Sequence, residues 1–125
     1  MATKLIKTIA GNPVPRINMF TLMLEEEGIE VEREYKFHPV RLWRFDYAIP
    51  KLKIAIECDG GVWNYGRHVR PTGYIKDMKK FNAAAELGWL VLKYTPEQLN
   101  SSYSIIEIKK VMNYRTELLD SGNKF

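Results

Sequence analysis

Between Trp43 and Gly61 the chain runs WRFDYAIPKLKIAIECDGG, two apolar-rich stretches about a Pro-Lys pair, each holding an acid where a core strand has no use for one. Asp46 lies inside the first stretch, Glu57 inside the second, and Asp59 follows two positions later. A carboxylate in a buried strand is costly unless it is paired, hydrogen-bonded or bound to a cation. Carboxylates crowded together repel and raise one another's pKa, and a hard divalent cation with oxygen ligands removes that repulsion. Asp46 and Glu57, helped by a backbone carbonyl near Cys58, are therefore candidate ligands for Mg²⁺, with Mn²⁺ expected to substitute. Zn²⁺ is a poor fit, because His38 and His68 are the only imidazoles and Cys58 the only thiol. The competing structural reading pairs Asp46 with Arg44 or Lys53 and makes Asp59-Gly60 a plain turn.

Whether the acids can meet depends on strand parity, since side chains alternate between the two faces of a sheet. If Pro50-Lys51 is a two-residue hairpin turn, Ile49 pairs with Leu52 and Asp46 faces Ala55. Glu57 is then the diagonal neighbour of Asp46 on the same face, with Cα atoms roughly 7–8 Å apart. Phe45, Tyr47, Ile54 and Ile56 would point to the opposite, packed face. A turn one residue longer would separate the acids. Asp59 shares the parity of Glu57 provided the strand reaches that far.

The remaining elements follow from periodicity. Ile17, Phe20 and Met23 or Leu24 recur at helical spacing from Arg16, and Gly28 is placed to end that helix. Val31, Arg33, Tyr35 and Phe37 alternate as one side of a strand over 30–37, and Trp43 to Ile49 and Leu52 to Cys58 supply the hairpin. After a glycine-punctuated loop over 59–73, Tyr74, Met78, Phe81 and Ala85 mark a helix that stops at Gly88. Trp89 to Thr95, WLVLKYT, is continuous enough for an inner strand covered on both faces. An amphipathic helix spans roughly Tyr103 to Leu119, where Ile105, Ile108, Met112 and Leu119 form core cover. The order α-β-β-β-α-β-α predicts an α/β fold with a mixed four-stranded sheet flanked by helices.

A length of 125 residues suits one domain, with a basic lead over 1–14 and a tail over 120–125. Hydrophobic residues at 46% and charged residues at 27% are ordinary for a globular protein and argue against disorder outside the ends, and the net charge of +4 is a mild match to a polyanionic partner. The single cysteine excludes an intrachain disulfide. No stretch has the length of a membrane span or the shape of a secretory leader, so no membrane partner and a cytoplasmic location are expected.

In these residues the chain resembles the PD-(D/E)XK nucleases, and most of all the small branch related to very-short-patch repair endonucleases and their phage members. The likeness rests on Asp46 in the second strand, Glu57-Cys58-Asp59-Gly60-Gly61, Gly66-Arg67-His68, Asp77-Met78-Lys79-Lys80, Phe81-Asn82 and the GWLVLKYT strand, and covers roughly residues 17–99. It implies a restriction-endonuclease-like core and Mg²⁺-dependent hydrolysis of DNA phosphodiester bonds in a bacterial or phage-infected cell, in DNA repair or recombination. Asp46 and Glu57 are the ligands it carries over. Two positions depart from the pattern. Asp59 stands where the motif has its lysine, so Lys80, on the helix after Asp77, is the substitute. Ile17-Asn18-Met19 stands where relatives often carry a glutamate.

The loop after the acids adds His68 as a base or phosphate donor, as the resemblance implies, with Arg67, Arg70 and Lys79 as phosphate contacts and Trp63 and Tyr65 as a stacking surface. Catalytic candidates are thus Asp46, Glu57, Asp59, His68 and Lys80. For Lys80 the plain alternative is a surface pair with Asp77. Within the nuclease reading, a Holliday-junction resolvase or another structure-specific nuclease of the same fold is the alternative. An inactive nucleic-acid-binding module is the alternative from another class. An enzyme cutting both strands would need a second subunit, which the last helix could recruit as a homodimer.

Overall fold

A computed structural model of the protein describes residues 8–9, 12–13, 18–59 and 71–125, with side chains over 18–59 and 75–125. Its elements are β1 (Thr8–Ile9), β2 (Asn12–Pro13), α1 (Met19–Glu26), β3 (Glu32–Lys36), β4 (Arg44–Ile49), β5 (Ile54–Cys58), α2 (Pro71–Glu86), β6 (Leu90–Tyr94), α3 (Pro96–Leu99) and α4 (Ser102–Asp120). The main sheet has the order β3-β4-β5-β6. Its first two pairings are antiparallel and β5–β6 is parallel, so the sheet is mixed, with α2 as the crossover. The pair β1–β2 is a separate two-residue antiparallel contact within the basic lead. Among the described residues no helix is long and apolar enough to cross a membrane.

The helices begin and end where local chemistry tells them to. Asn18 caps α1: its side chain accepts from the Thr21 amide at 2.9 Å, and the Thr21 hydroxyl oxygen accepts from the Asn18 amide at 3.2 Å. At the far end Gly28, at φ +69°, lets its own amide reach the Glu25 carbonyl and the Ile29 amide reach that of Leu24. Gly88, at φ +87°, closes α2 in the same way through Ala85 and Ala84.

Two apolar clusters fill the two sides of the sheet. On one side Tyr47, Ile49, Ile54, Ile56 and Tyr94 pack against Phe20 and Leu24 of α1 and Ile105 and Ile108 of α4. On the other, Phe45, Ala48, Ala55 and Trp89 pack with Phe37 and with Ala84 of α2. The small alanines at 48, 55 and 84 let α2 lie close to the sheet.

Three sequence expectations change. The hairpin connection is four residues, not two: Pro50–Leu52 form a short 3₁₀ turn and Lys53 takes the left-handed conformation at φ +50°. Ile49 therefore pairs with Ile54 rather than Leu52. Two added residues keep the turn even, and the register carried one step past the Tyr47–Ile56 pair sets Asp46 opposite Glu57 rather than diagonal to it. Strand β6 is an edge strand, although Val91 and Leu92 pack into the two clusters on opposite faces. Finally, the alternation in β3 and β4 breaks. Val31 packs in the α1/α4 cluster and Arg33 sits over the Tyr47 ring at 5.2 Å, whereas Tyr35 and Phe37 join the α2 cluster. The break is at Glu34, left-handed at φ +51°, because such a residue cannot continue a regular pleat. Phe45 consequently packs on the α2 side rather than with Tyr47.

Candidate active site

The pairing of β4 with β5 runs from Ile49–Ile54 to Tyr47–Ile56. At the next step the two carboxylates take over the hydrogen bonding. The Asp46 amide donates to Glu57 Oε2 at 2.9 Å, and the Cys58 amide donates to Asp46 Oδ2 at 2.7 Å. Each acid thus satisfies a backbone donor on the opposite strand, which would be costly to leave unpaired. Charge-assisted bonds of this kind fix both carboxyl groups in the fork between the strands. In extended backbone the N–H and C=O of one residue point to the same edge, so the Cys58 carbonyl faces the same fork.

Lys80 completes the arrangement from α2. Its ammonium lies 3.1 Å from Glu57 Oε1, with both side chains largely shielded from solvent. It also stands 5.2 Å over the Phe81 ring and 5.8 Å over that of Phe45. The surface pair with Asp77 is not what the helix uses. Asp77 is exposed, while Lys80 turns inward to the acid on β5. Among the described residues Asp46 forms an ion pair with neither Arg44 nor Lys53: Lys53 donates to the Leu87 carbonyl at 2.7 Å, and Asp46 accepts from the Cys58 amide.

Burial raises the pKa of Glu57 first, and the charge of Asp46 raises it further. Lys80 and the Asp46 amide work in the opposite direction without cancelling the rise. With two close acids, one of them reluctant to ionise, any cation held between them must compete with a proton, so its affinity would rise with pH. Cys58 shifts in the same direction: burial and the charges of Asp46, Asp59 and Glu57 push its thiol pKa up, which disfavours the reactive thiolate.

The donor set fits Mg²⁺ in kind, because that ion is commonly held by one or two carboxylates with water and substrate phosphates completing its shell. Asp46, Glu57 and the Cys58 carbonyl are the oxygens on offer. Among the described residues no three of His, Cys, Asp and Glu converge on a common point, so Asp59 does not join the other two as a third carboxylate. Its amide extends the parallel pairing one step past β5, donating to the Tyr94 carbonyl at 2.7 Å.

Sequence reasoning brought together Asp46, Glu57, Cys58 and Lys80. It missed Lys93, which pairs with Glu57 in the β5–β6 register and holds its ammonium 3.7 Å from the Phe81 ring centre. Only the parallel register reveals that neighbour, because nothing within GWLVLKYT marks it. It also missed the place of Glu34, which stands opposite Asp46 between the Arg33–Tyr47 and Tyr35–Phe45 pairs. Lys79 is exposed on α2. Trp63, Tyr65, Arg67, His68 and Arg70 lie outside the described residues. Where relatives of the resembled branch carry a glutamate, Asn18 is occupied in capping α1. Compared with known protein families, curated proteins and solved structures, the chain matches none.

Proposed function

We propose that the protein is a metal-dependent endonuclease that hydrolyses DNA phosphodiester bonds, with a restriction-endonuclease-like core and kinship to the PD-(D/E)XK nucleases. The observation that carries this reading is the fork itself. Asp46 and Glu57 face each other at the parting of two strands, and a lysine from the crossover helix touches the second acid.

Bound Mg²⁺ would supply Lewis-acid polarisation of the scissile phosphate and a lowered pKa for the attacking water. The chain's own residues do the rest. Asp46 and Glu57 hold the ion, each already oriented by a backbone amide. The Cys58 carbonyl adds a neutral oxygen. Lys80 leaves part of its interaction with Glu57 to steady the negative charge that grows on the phosphate, in the position that the missing motif lysine at residue 59 would have served. Its low exposure strengthens that interaction, since a shielded cation acts in a weaker dielectric than a surface one. His68, Arg67 and Arg70 remain the proposed contacts from the loop that follows, with Trp63 and Tyr65 for base stacking and Lys79 and Lys93 for the backbone beside the site.

A second reading rests on Asp59. An acid in place of the motif lysine favours a binding module that has the fold without the chemistry. Supercoiled plasmid incubated with the protein in Mg²⁺ or in EDTA separates the two. Nicked or linear product only with Mg²⁺ supports the enzyme, whereas retention of plasmid in both buffers without product supports the module. A panel of junction, flap, mismatched and linear substrates then assigns the DNA structure, including the Holliday-junction variant.

A further inference from the structure

The connection between β3 and β4 combines two properties that seldom share a surface. From Tyr35 to Phe45 it contains Lys36, His38, Arg41 and Arg44 and no acid. At its tip it also exposes Val40 at 80% and Leu42 at 77%. Isolated exposed aliphatics are ordinary, but these two flank an arginine on a tip that is held in shape. His38 Nδ1 accepts from the Val40 amide at 3.1 Å and the Arg41 amide at 2.9 Å. The Arg41 guanidinium sits 4.3 Å from the Trp43 ring centre, and His38 meets that ring edge-on at 5.2 Å. Below them Phe37 stacks between Trp43 at 6.3 Å and Phe45 at 4.0 Å. Phe45 is the ring beneath the Lys80 ammonium, so the tip and the acid fork are joined through one packed aromatic column.

Cations alone would suffice to grip phosphates. Rigid aliphatics between them suit a partner that is a polyanion on its flanks and apolar within, and DNA is such a partner only where a base step is opened and exposes its faces. The distance agrees: Leu42 is four residues from Asp46, at most about 14 Å of chain. That is roughly four nucleotide steps along a duplex axis. We propose that the β3–β4 tip is a DNA wedge: Val40 and Leu42 pack on base faces at an unpaired or kinked step, while Lys36, Arg41 and Arg44 hold the phosphates on either side. The substrate class is then DNA with a local distortion near the scissile bond. The proposal takes its ligand from the nuclease reading but not its chemistry.

The test uses the full chain in EDTA at fixed salt. Its ligands are a labelled perfect duplex and the same duplex carrying a bulge of a few unpaired bases, with 2-aminopurine beside the bulge. The wild type is expected to bind the bulged duplex roughly tenfold more tightly, the equivalent of about 1.4 kcal/mol, and to brighten the 2-aminopurine. Val40→Ser with Leu42→Ser, both surface changes, should abolish the preference and the brightening while leaving the salt slope unchanged. Arg41→Ala with Arg44→Ala should weaken both duplexes alike and lower the slope by about two. A Val40→Ser/Leu42→Ser chain that keeps the preference overturns the wedge. So does a tip that needs both aliphatics for flotation with phosphatidylserine–phosphatidylcholine vesicles and ignores DNA, which would assign it to a lipid surface. If Val40→Ser/Leu42→Ser keeps the preference while the wild type cuts plasmid in Mg²⁺, the wedge fails and the nuclease stands. A preference that depends on the tip in a chain that never cleaves leaves the wedge standing and removes the nuclease.

Discussion

At Glu57 the burial that shields the fork also works against the charge that metal binding needs. Its folded pKa lies above the ordinary carboxylate value, so ionising it is harder in the folded protein than in the unfolded chain. A group of that sign contributes stability that is whole below its unfolded pKa and is lost as pH rises through the folded one. Glutamine at this position does not titrate. Urea unfolding of wild type and Glu57→Gln in EDTA over a pH series should therefore show the wild type losing stability relative to the variant as pH climbs out of the carboxylate range, then levelling off. A constant difference, or one of opposite slope, would contradict the placement of Glu57. Lys80 makes a separate prediction: Lys80→Ala should lower the rate of Mg²⁺-dependent cleavage by about 10²–10³-fold, as loss of a charge-stabilising donor does elsewhere. Lys80→Arg should recover part of the rate in a single-turnover assay, since the cation returns in a different shape. The acids were legible in the sequence because two carboxylates in apolar strands demand an explanation. Lys93 was not, because its neighbour Glu57 is 36 positions away and only strand register joins them.

Among the elements, the hairpin between β4 and β5 decides whether a site exists at all. That the acids need an even turn was readable from the sequence, but the length of the turn was not. Pro50 and Lys51 look like a two-residue turn, and the use of Leu52 and a left-handed Lys53 depends on burying Leu52 in the α1/α4 cluster. Glu34 shows the same limit. Its positive φ reverses the facing of β3 and carries Phe45 to the other side of β4, and no local signal announces a left-handed glutamate. The glycine stops were easier, because Gly28 and Gly88 each follow a helical run and each adopts positive φ. Gly28→Ala has open space for its Cβ and Gly88→Ala meets the Phe125 backbone at 3.4 Å, so strain is the common cost. Each should lose roughly 1–2 kcal/mol in chemical denaturation, with the Gly88 variant the less stable. Variants as stable as wild type would mean that these helix ends are not built as described.

For the whole molecule, helices pack on both faces of a mixed sheet, the proposed chemistry belongs where β4 and β5 part, and the positive charge excess suits a polyanion. The coarse fold class and the order of α1, β3, β4, β5, α2, β6 and α4 could be derived from periodicity, whereas the β1–β2 pair and the short α3 were missed, and β6 was misplaced as an inner strand because an edge strand packed on both faces reads as equally apolar. Binding to a plain duplex should weaken steeply with salt, and Lys79→Ala should lower the slope of log K against log salt by about 1 without altering which DNA is preferred. Affinity that does not respond to salt would exclude a phosphate-gripping surface. The central claim is that Asp46 and Glu57 together hold the ion that cleaves DNA. Its most direct test is cleavage of supercoiled plasmid over a Mg²⁺ titration by wild type, Asp46→Asn and Glu57→Gln, with folding of each verified by thermal melting. The account predicts product from the wild type that rises with Mg²⁺ and vanishes in EDTA, and none above background from either folded variant. Cleavage that persists in EDTA, or in either variant, would contradict it.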